Sequence, residues 1–173
     1  MPELWLSLDD LPAGGREFSF SGQELFEGFW REYGLAYRPG RPLAATLAVT
    51  PQEGGVRIVG GLTGSVVVPC DRCTGDAEIG FDVELDLYEE AVEPSIEDPE
   101  PLLSSADGHL KLNAGRLLWE QFNLALPVKV LCRKDCKGLC PGCGRDLNVE
   151  ACTCEKDEGD PRLAALRGLK LKQ

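Results

Sequence analysis

Apolar and polar residues alternate through much of the first half of the chain. Leu4, Leu6 and Leu8 alternate with Trp5 and Ser7, which predicts a short strand, and Phe18 and Phe20 start a second. Leu43, Ala45, Leu47 and Val49 predict another, closed by turn chemistry from Pro51 to Gly55. Val56 to Val59 and Leu62 to Val68 then read as two strands, with Gly60-Gly61 as a bulge or bend between them. In the clearest strand, Ala77, Ile79, Phe81, Val83, Leu85 and Leu87 alternate with Glu78, Gly80, Asp82, Glu84 and Asp86. One face of it is apolar and the other anionic.

Helical spacing interrupts this pattern three times. Leu25, Phe26, Phe29 and Trp30 give an apolar face ending at Gly34, with Ser21 as cap and Glu24 at capping-box spacing. These aromatics read as core. Asn113 caps a second helix whose stripe is Leu117, Leu118, Phe122, Ala125 and Leu126, stopped by Pro127. Asp160 caps a third, with Pro161 at its first position and Leu163, Leu166 and Leu169 on its apolar side. Strands that follow one another directly predict an α+β fold. The expectation is a small antiparallel sheet or partly closed barrel, with packed helices and a C-terminal Cys-rich zinc-binding module. Residues 1–88 form a mainly β part with one helix. An acidic linker or loop spans 89–108, a helix packing on the sheet 109–131, and the Cys-rich module with a last helix 132–173.

At 173 residues and 43% hydrophobic content, one domain, alone or with a small module, can bury a real core. The N-terminus has no basic region followed by an apolar run, and no segment reaches the ~20 apolar residues of a membrane helix. The expectation is therefore a cytoplasmic protein. A net charge of -11 argues against a generic nucleic-acid binder. The charge is unevenly placed, however. Residues 82–100 carry nine acids and no Lys or Arg, whereas Lys129, Arg133, Lys134, Lys137, Arg145, Arg162, Arg167 and Lys170 gather late in the chain.

Cysteine usage changes the picture most. Six of eight cysteines, Cys132, Cys136, Cys140, Cys143, Cys152 and Cys154, fall between residues 132 and 154, and Cys70 and Cys73 form a separate C-x-x-C between two strands. Paired thiols in a reducing compartment favour a soft metal, most simply zinc, over disulfides. An iron–sulfur cluster uses the same donors. A thioredoxin-type pair would sit near a βαβ pattern, which is absent around Cys73. The preferred pairing gives two sites, one of Cys70, Cys73, Cys132 and Cys136, the other of Cys140, Cys143, Cys152 and Cys154. A single zinc using four of the six later cysteines, and a two-metal cluster with bridging thiolates, stay open beside it. Zinc closed by four thiolates has no open position and stabilises rather than catalyses.

Four stretches carry a family resemblance: PCDRC at 69–73, LP at 126–127, DCKGLCPGCGRDLNVEACTC at 135–154 and DPRLAALRGLK at 160–170. In order and spacing they resemble the YceD family, named for a large ribosomal RNA subunit accumulation protein. The resemblance implies a bacterial or plastid protein needed for normal accumulation of large-subunit (23S) ribosomal RNA. It also implies the two-site pairing, because some members keep a C-x-x-C like Cys70/Cys73 and a pair near Cys132/Cys136 while lacking the later cysteines. No catalytic residue comes with it.

Three functions compete. The first is a non-enzymatic factor for large-subunit RNA synthesis, processing or stability, in which the eight late basic residues meet phosphates of that RNA or its precursor. The second is a module whose acidic segment holds a basic ribosomal protein. The third is an enzyme, and it is disfavoured: there is no HExxH, Walker loop or His-containing dyad. His109 reads as a surface residue. The acids Asp82 to Asp86 read as a solvated sheet face rather than a magnesium site.

Overall fold

The structure is a computed structural model and describes residues 4–22 and 24–154. In chain order the elements are β1 (Trp5–Ser7), β2 (Arg16–Ser21), α1 (Glu24–Glu32), β3 (Arg38–Pro39), β4 (Ala44–Gln52), β5 (Gly55–Pro69), β6 (Asp76–Glu90), β7 (Leu103–Ser104), a single 3-10 turn (Ala106–Gly108), β8 (Lys111–Asn113) and α2 (Ala114–Ala125). The last predicted helix, with Asp160, Leu163, Leu166 and Leu169, lies outside the described residues, as do Arg162, Arg167 and Lys170.

Two separate antiparallel sheets replace the partly closed barrel, the alternative to a small antiparallel sheet. β2, β4 and β5 pair side by side. β3 continues along the β4 edge of β5, and β6 lines its other edge throughout. The second sheet has the order β1-β8-β7, so residues near the N-terminus pair beside Lys111–Asn113.

The β5–β6 hairpin is the spine of the molecule, and its register is unbroken from Gly55↔Glu90 to Pro69↔Asp76. This corrects the expected bulge at Gly60-Gly61. A bulge inserts one residue and would flip the inward set from even to odd positions. Instead Val56, Ile58, Leu62, Val66 and Val68 all stay buried. The glycines answer a different demand, because a Cβ at Gly60 would run into the Thr46 carbonyl of β4.

Ser21 does not cap α1. It is the last residue of β2, opposite Ala44, and the helix begins at Glu24. Pairing with β4 claims the Ser21 backbone before the helix starts. Asn113 does cap α2, and its Oδ1 accepts from the Arg116 N–H at 2.9 Å.

The core lies between the sheet and the helices. Leu47, Val49, Val56, Ile58 and Leu62 meet Leu117, Leu118 and Phe122, all essentially solvent-free. Phe122 is the hub, with ring contacts to Phe26, Trp30, Tyr37, Phe81 and Trp119.

Residues 89–108 are not a uniform solvated linker. Val92 donates to the Leu103 carbonyl, the Ser105 N–H donates back to Val92, and Leu103 and Ser104 are buried. The apolar Leu102-Leu103 pair folds back onto the core and takes the neighbouring backbone with it, while 93–100 stay exposed. Among the described residues, no helix is long and apolar enough to cross a membrane.

Candidate metal centres

Two turns of identical build present the first thiol of each C-x-x-C. In the hairpin tip between β5 and β6, Cys70 N–H donates to the Gly75 carbonyl, Thr74 N–H donates back to the Cys70 carbonyl, and Arg72 N–H faces Cys70 Sγ at 3.5 Å. In the second turn, Cys140 N–H donates to Arg145, Gly144 N–H to Cys140, and Gly142 N–H faces Cys140 Sγ at 3.4 Å. Each turn spans six residues and aims a backbone amide at sulfur, which favours the thiolate.

Chain entry from α2 supplies the partners of the hairpin pair. Leaving α2, the chain is pinned to the tip by reciprocal bonds, Asp71 N–H to the Val130 carbonyl and Val130 N–H to Asp71 Oδ2. That docking sets Cys132 and Cys136 over the tip. Cys70 and Cys136 sulfurs are 3.8 Å apart, and those of Cys73 and Cys132 3.7 Å. All four sulfurs lie within 4.8 Å of one another, and three of the four residues are buried. Cys140, Cys143, Cys152 and Cys154 converge within the same limit, with only Cys140 buried. Cys154 N–H faces Cys152 Sγ at 3.2 Å.

These are the two sets expected from the sequence, and each could hold a metal ion. The donor chemistry fits one. Crowded thiols oppose one another's ionisation. The Cys132 backbone amide holds Cys70 down to about 6, while partial desolvation of its sulfur and the neighbouring Cys136, Cys73 and Cys70 thiols push the otherwise exposed Cys132 up to about 12. Hydrogen bonding from Cys152 brings Cys140 down to about 6, and the same neighbour pushes Cys154 up to about 12. A cation at the centre removes that opposition by drawing all four toward the thiolate. The sulfur separations also exclude disulfides in this structure, since a bonded pair lies at ~2.05 Å.

The two clusters share a wall. Leu139 N–H donates to the Arg72 carbonyl and Arg72 Nη1 to the Cys136 carbonyl at 2.7 Å. Gly138 sits between them with φ +78, and a Cβ there would lie 2.8 Å from the Arg72 oxygen. Sequence reasoning missed Arg72 and Gly138, whose contacts join the hairpin tip to the later Cys-rich segment, and Asn148, whose partners lie up to 15 residues back within that segment, distances that local pattern does not encode.

Of the described basic candidates, Lys129, Arg133, Lys134, Lys137 and Arg145 are all exposed around this double cluster. Arg133 and Arg145 are partly neutralised by Asp135 and Glu150, each at 3.5 Å. On the outer row of β6, Arg57 clamps Asp86 with two bonds, whereas Asp82 and Glu84 are simply exposed. His109 is exposed and bonded to Asp9 at 3.0 Å.

No curated protein and no solved structure matches the chain. A family model, described as large ribosomal RNA subunit accumulation protein YceD, matches residues 58–170, which takes in the hairpin tip, α2 and all eight cysteines. The chain therefore belongs to the YceD family.

Proposed function

We propose that the protein is a non-enzymatic, cytoplasmic factor that supports synthesis, processing or stability of large-subunit ribosomal RNA, and that its two cysteine sites each hold a structural zinc. The family description supplies the connection to that RNA. The observation that carries the reading is the convergence of all eight cysteines into two closed four-sulfur sets at one end of the β5–β6 hairpin.

A tetrahedron of ~2.3 Å Zn–S bonds spaces its sulfurs roughly 3.8 Å apart. Three of the edges, at 3.8, 3.7 and 3.7 Å, match that spacing. The Cys140–Cys152 edge is 3.1 Å and has to widen around an ion. Four protein ligands leave no open position for a substrate, so the ion supports shape. The surface so shaped carries Lys129, Lys134 and Lys137, which form no ion pair among the described residues and are suited to phosphate. Arg133 and Arg145 are exposed as well, and Arg162, Arg167 and Lys170 follow in the chain.

A second reading, capture of a basic ribosomal protein, is favoured by one observation: Asp82 and Glu84 stand exposed on the outer row of β6. Crosslinking in cells, read at nucleotide resolution and by mass spectrometry, separates the two. The proposed function expects a footprint on large-subunit precursor RNA that fades in the Lys134→Glu/Lys137→Glu variant and at raised salt. A protein crosslink lost in Asp82→Lys/Glu84→Lys, with no RNA footprint, replaces it with the second reading.

A further inference from the structure

Asn148 belongs by sequence to the second cysteine site, lying between Cys143 and Cys152, but its side chain serves the first. Its Oδ1 accepts from Arg133 Nη2 and from the Lys137 backbone N–H, both at 2.8 Å. Two donors on that atom settle which end of the amide is oxygen. The amide nitrogen then donates to Asp146 Oδ1 at 2.6 Å and faces Cys136 Sγ at 3.5 Å. Asp146 Oδ1 also takes the Asn148 backbone N–H at 2.8 Å. The loop bearing Asn148 is folded by the second site's own bonds, from Cys140 N–H to Arg145 and from Leu147 N–H to Gly138.

We propose that Asn148 couples the two cysteine sites: an ion at Cys140, Cys143, Cys152 and Cys154 sets the loop from 144 to 150, and that loop presents an amide N–H to the Cys136 thiolate of the other site. The inference rests on the metal-site reading above. A thiolate that receives an N–H repels its three neighbouring sulfurs less, so the first site binds its ion more tightly when the loop is in place. Linkage makes the effect reciprocal, and filling the first site tightens the second. Asn148 is a positioning residue and ligates nothing.

The test uses the full chain loaded with cadmium-113, whose NMR spectrum gives each four-sulfur site its own resonance, with affinities from competition against a chelator of known strength. Asn148→Asp keeps size and the Oδ1 acceptor but removes the N–H facing sulfur. The expected result is a first-site affinity lower by about ten- to a hundred-fold, the usual effect of losing an outer-shell partner. The first site's resonance should move while the second stays. Cys143→Ser/Cys154→Ser, which opens the second site, should weaken the first by a similar factor, and adding Asn148→Asp to it should cost little more. The strand signal in far-ultraviolet circular dichroism checks that each variant folds, and the double-cysteine variant tests the coupling independently of any damage at position 148. First-site affinity and resonance unchanged in both variants overturn the coupling and leave both sites standing. Wild-type protein that takes up no cadmium overturns the metal reading and the coupling together.

Discussion

Cys70 and Cys140 open turns with the same hydrogen bonds, yet the fifth residue of the turn differs. Gly144 holds φ +73, and the corresponding position in the hairpin tip is Thr74 at φ +58. A β-branched residue is strained in the left-handed region, and glycine is not. The Thr74 hydroxyl recovers part of that cost by donating to the Cys73 carbonyl at 2.7 Å. Thr74→Gly is therefore expected to raise the stability of the metal-loaded protein by about 0.5 kcal/mol, and Gly144→Thr to lower it by about 1–2 kcal/mol. Urea unfolding of the two variants checks this, and a loss of stability in Thr74→Gly refutes the strain argument. The thiols were legible at this scale because eight cysteines in pairs mark, by chemistry alone, residues that could hold a metal ion. Asn148 was not, since nothing in NVEAC says that an asparagine reaches back twelve residues to Cys136.

Among the elements, β5 shows best how a correct pattern can hide a wrong reason. Strand character over Val56 to Val59 and Leu62 to Val68 was visible, and the Gly60-Gly61 step between them was misread. Gly60 exists because β4 approaches so closely at Thr46, and a Cβ at Gly61 would meet the Val83 carbonyl of β6, both neighbours set by tertiary pairing. Gly60→Val is expected to destabilise the fold by about 3 kcal/mol, because a side chain there must push β4 from β5. Gly14→Ala, whose Cβ meets nothing within 4 Å, serves as the control and should change stability by less than about 0.5 kcal/mol. Thermal unfolding of the pair decides the matter, and equal effects would mean that the close approach at Gly60 is not what selects glycine. α2 was readable throughout, from the Asn113 cap to Pro127, since capping and the 3.6-residue stripe are local properties. The Ser21 cap failed because strand pairing outcompeted a side-chain bond worth about 1 kcal/mol.

At the scale of the whole molecule, two kinds of cohesion meet at the hairpin tip. The apolar cluster of β4, β5 and α2 contains no cysteine, and the smaller cluster of Cys70, Cys73, Ala77 and Cys136 stands beside it. Metal removal should therefore be selective. Chelation is expected to leave the strand signal intact while the segment from 130 to 152 comes loose, with the loss of metal-binding free energy on the order of 10 kcal/mol falling on that segment. Hydrogen exchange on stripped protein should show fast amides at Asp71, Val130 and Leu139 and slow ones at Leu47 and Ile58. Simultaneous loss of both groups would mean that the sulfur sites hold the entire fold.

By itself the sequence determined the donor set, the strand and helix periods and the polarity of the charge, since each follows from residue identity and spacing within one element. Only the tertiary structure decided which thiols share a site, that Asn148 of one cluster serves the other, that glycine is required beside Thr46, and that Leu103 folds inward. Those outcomes depend on distances between segments tens of residues apart, and such distances are set by how the sheet, the helices and the hairpin tip pack against one another.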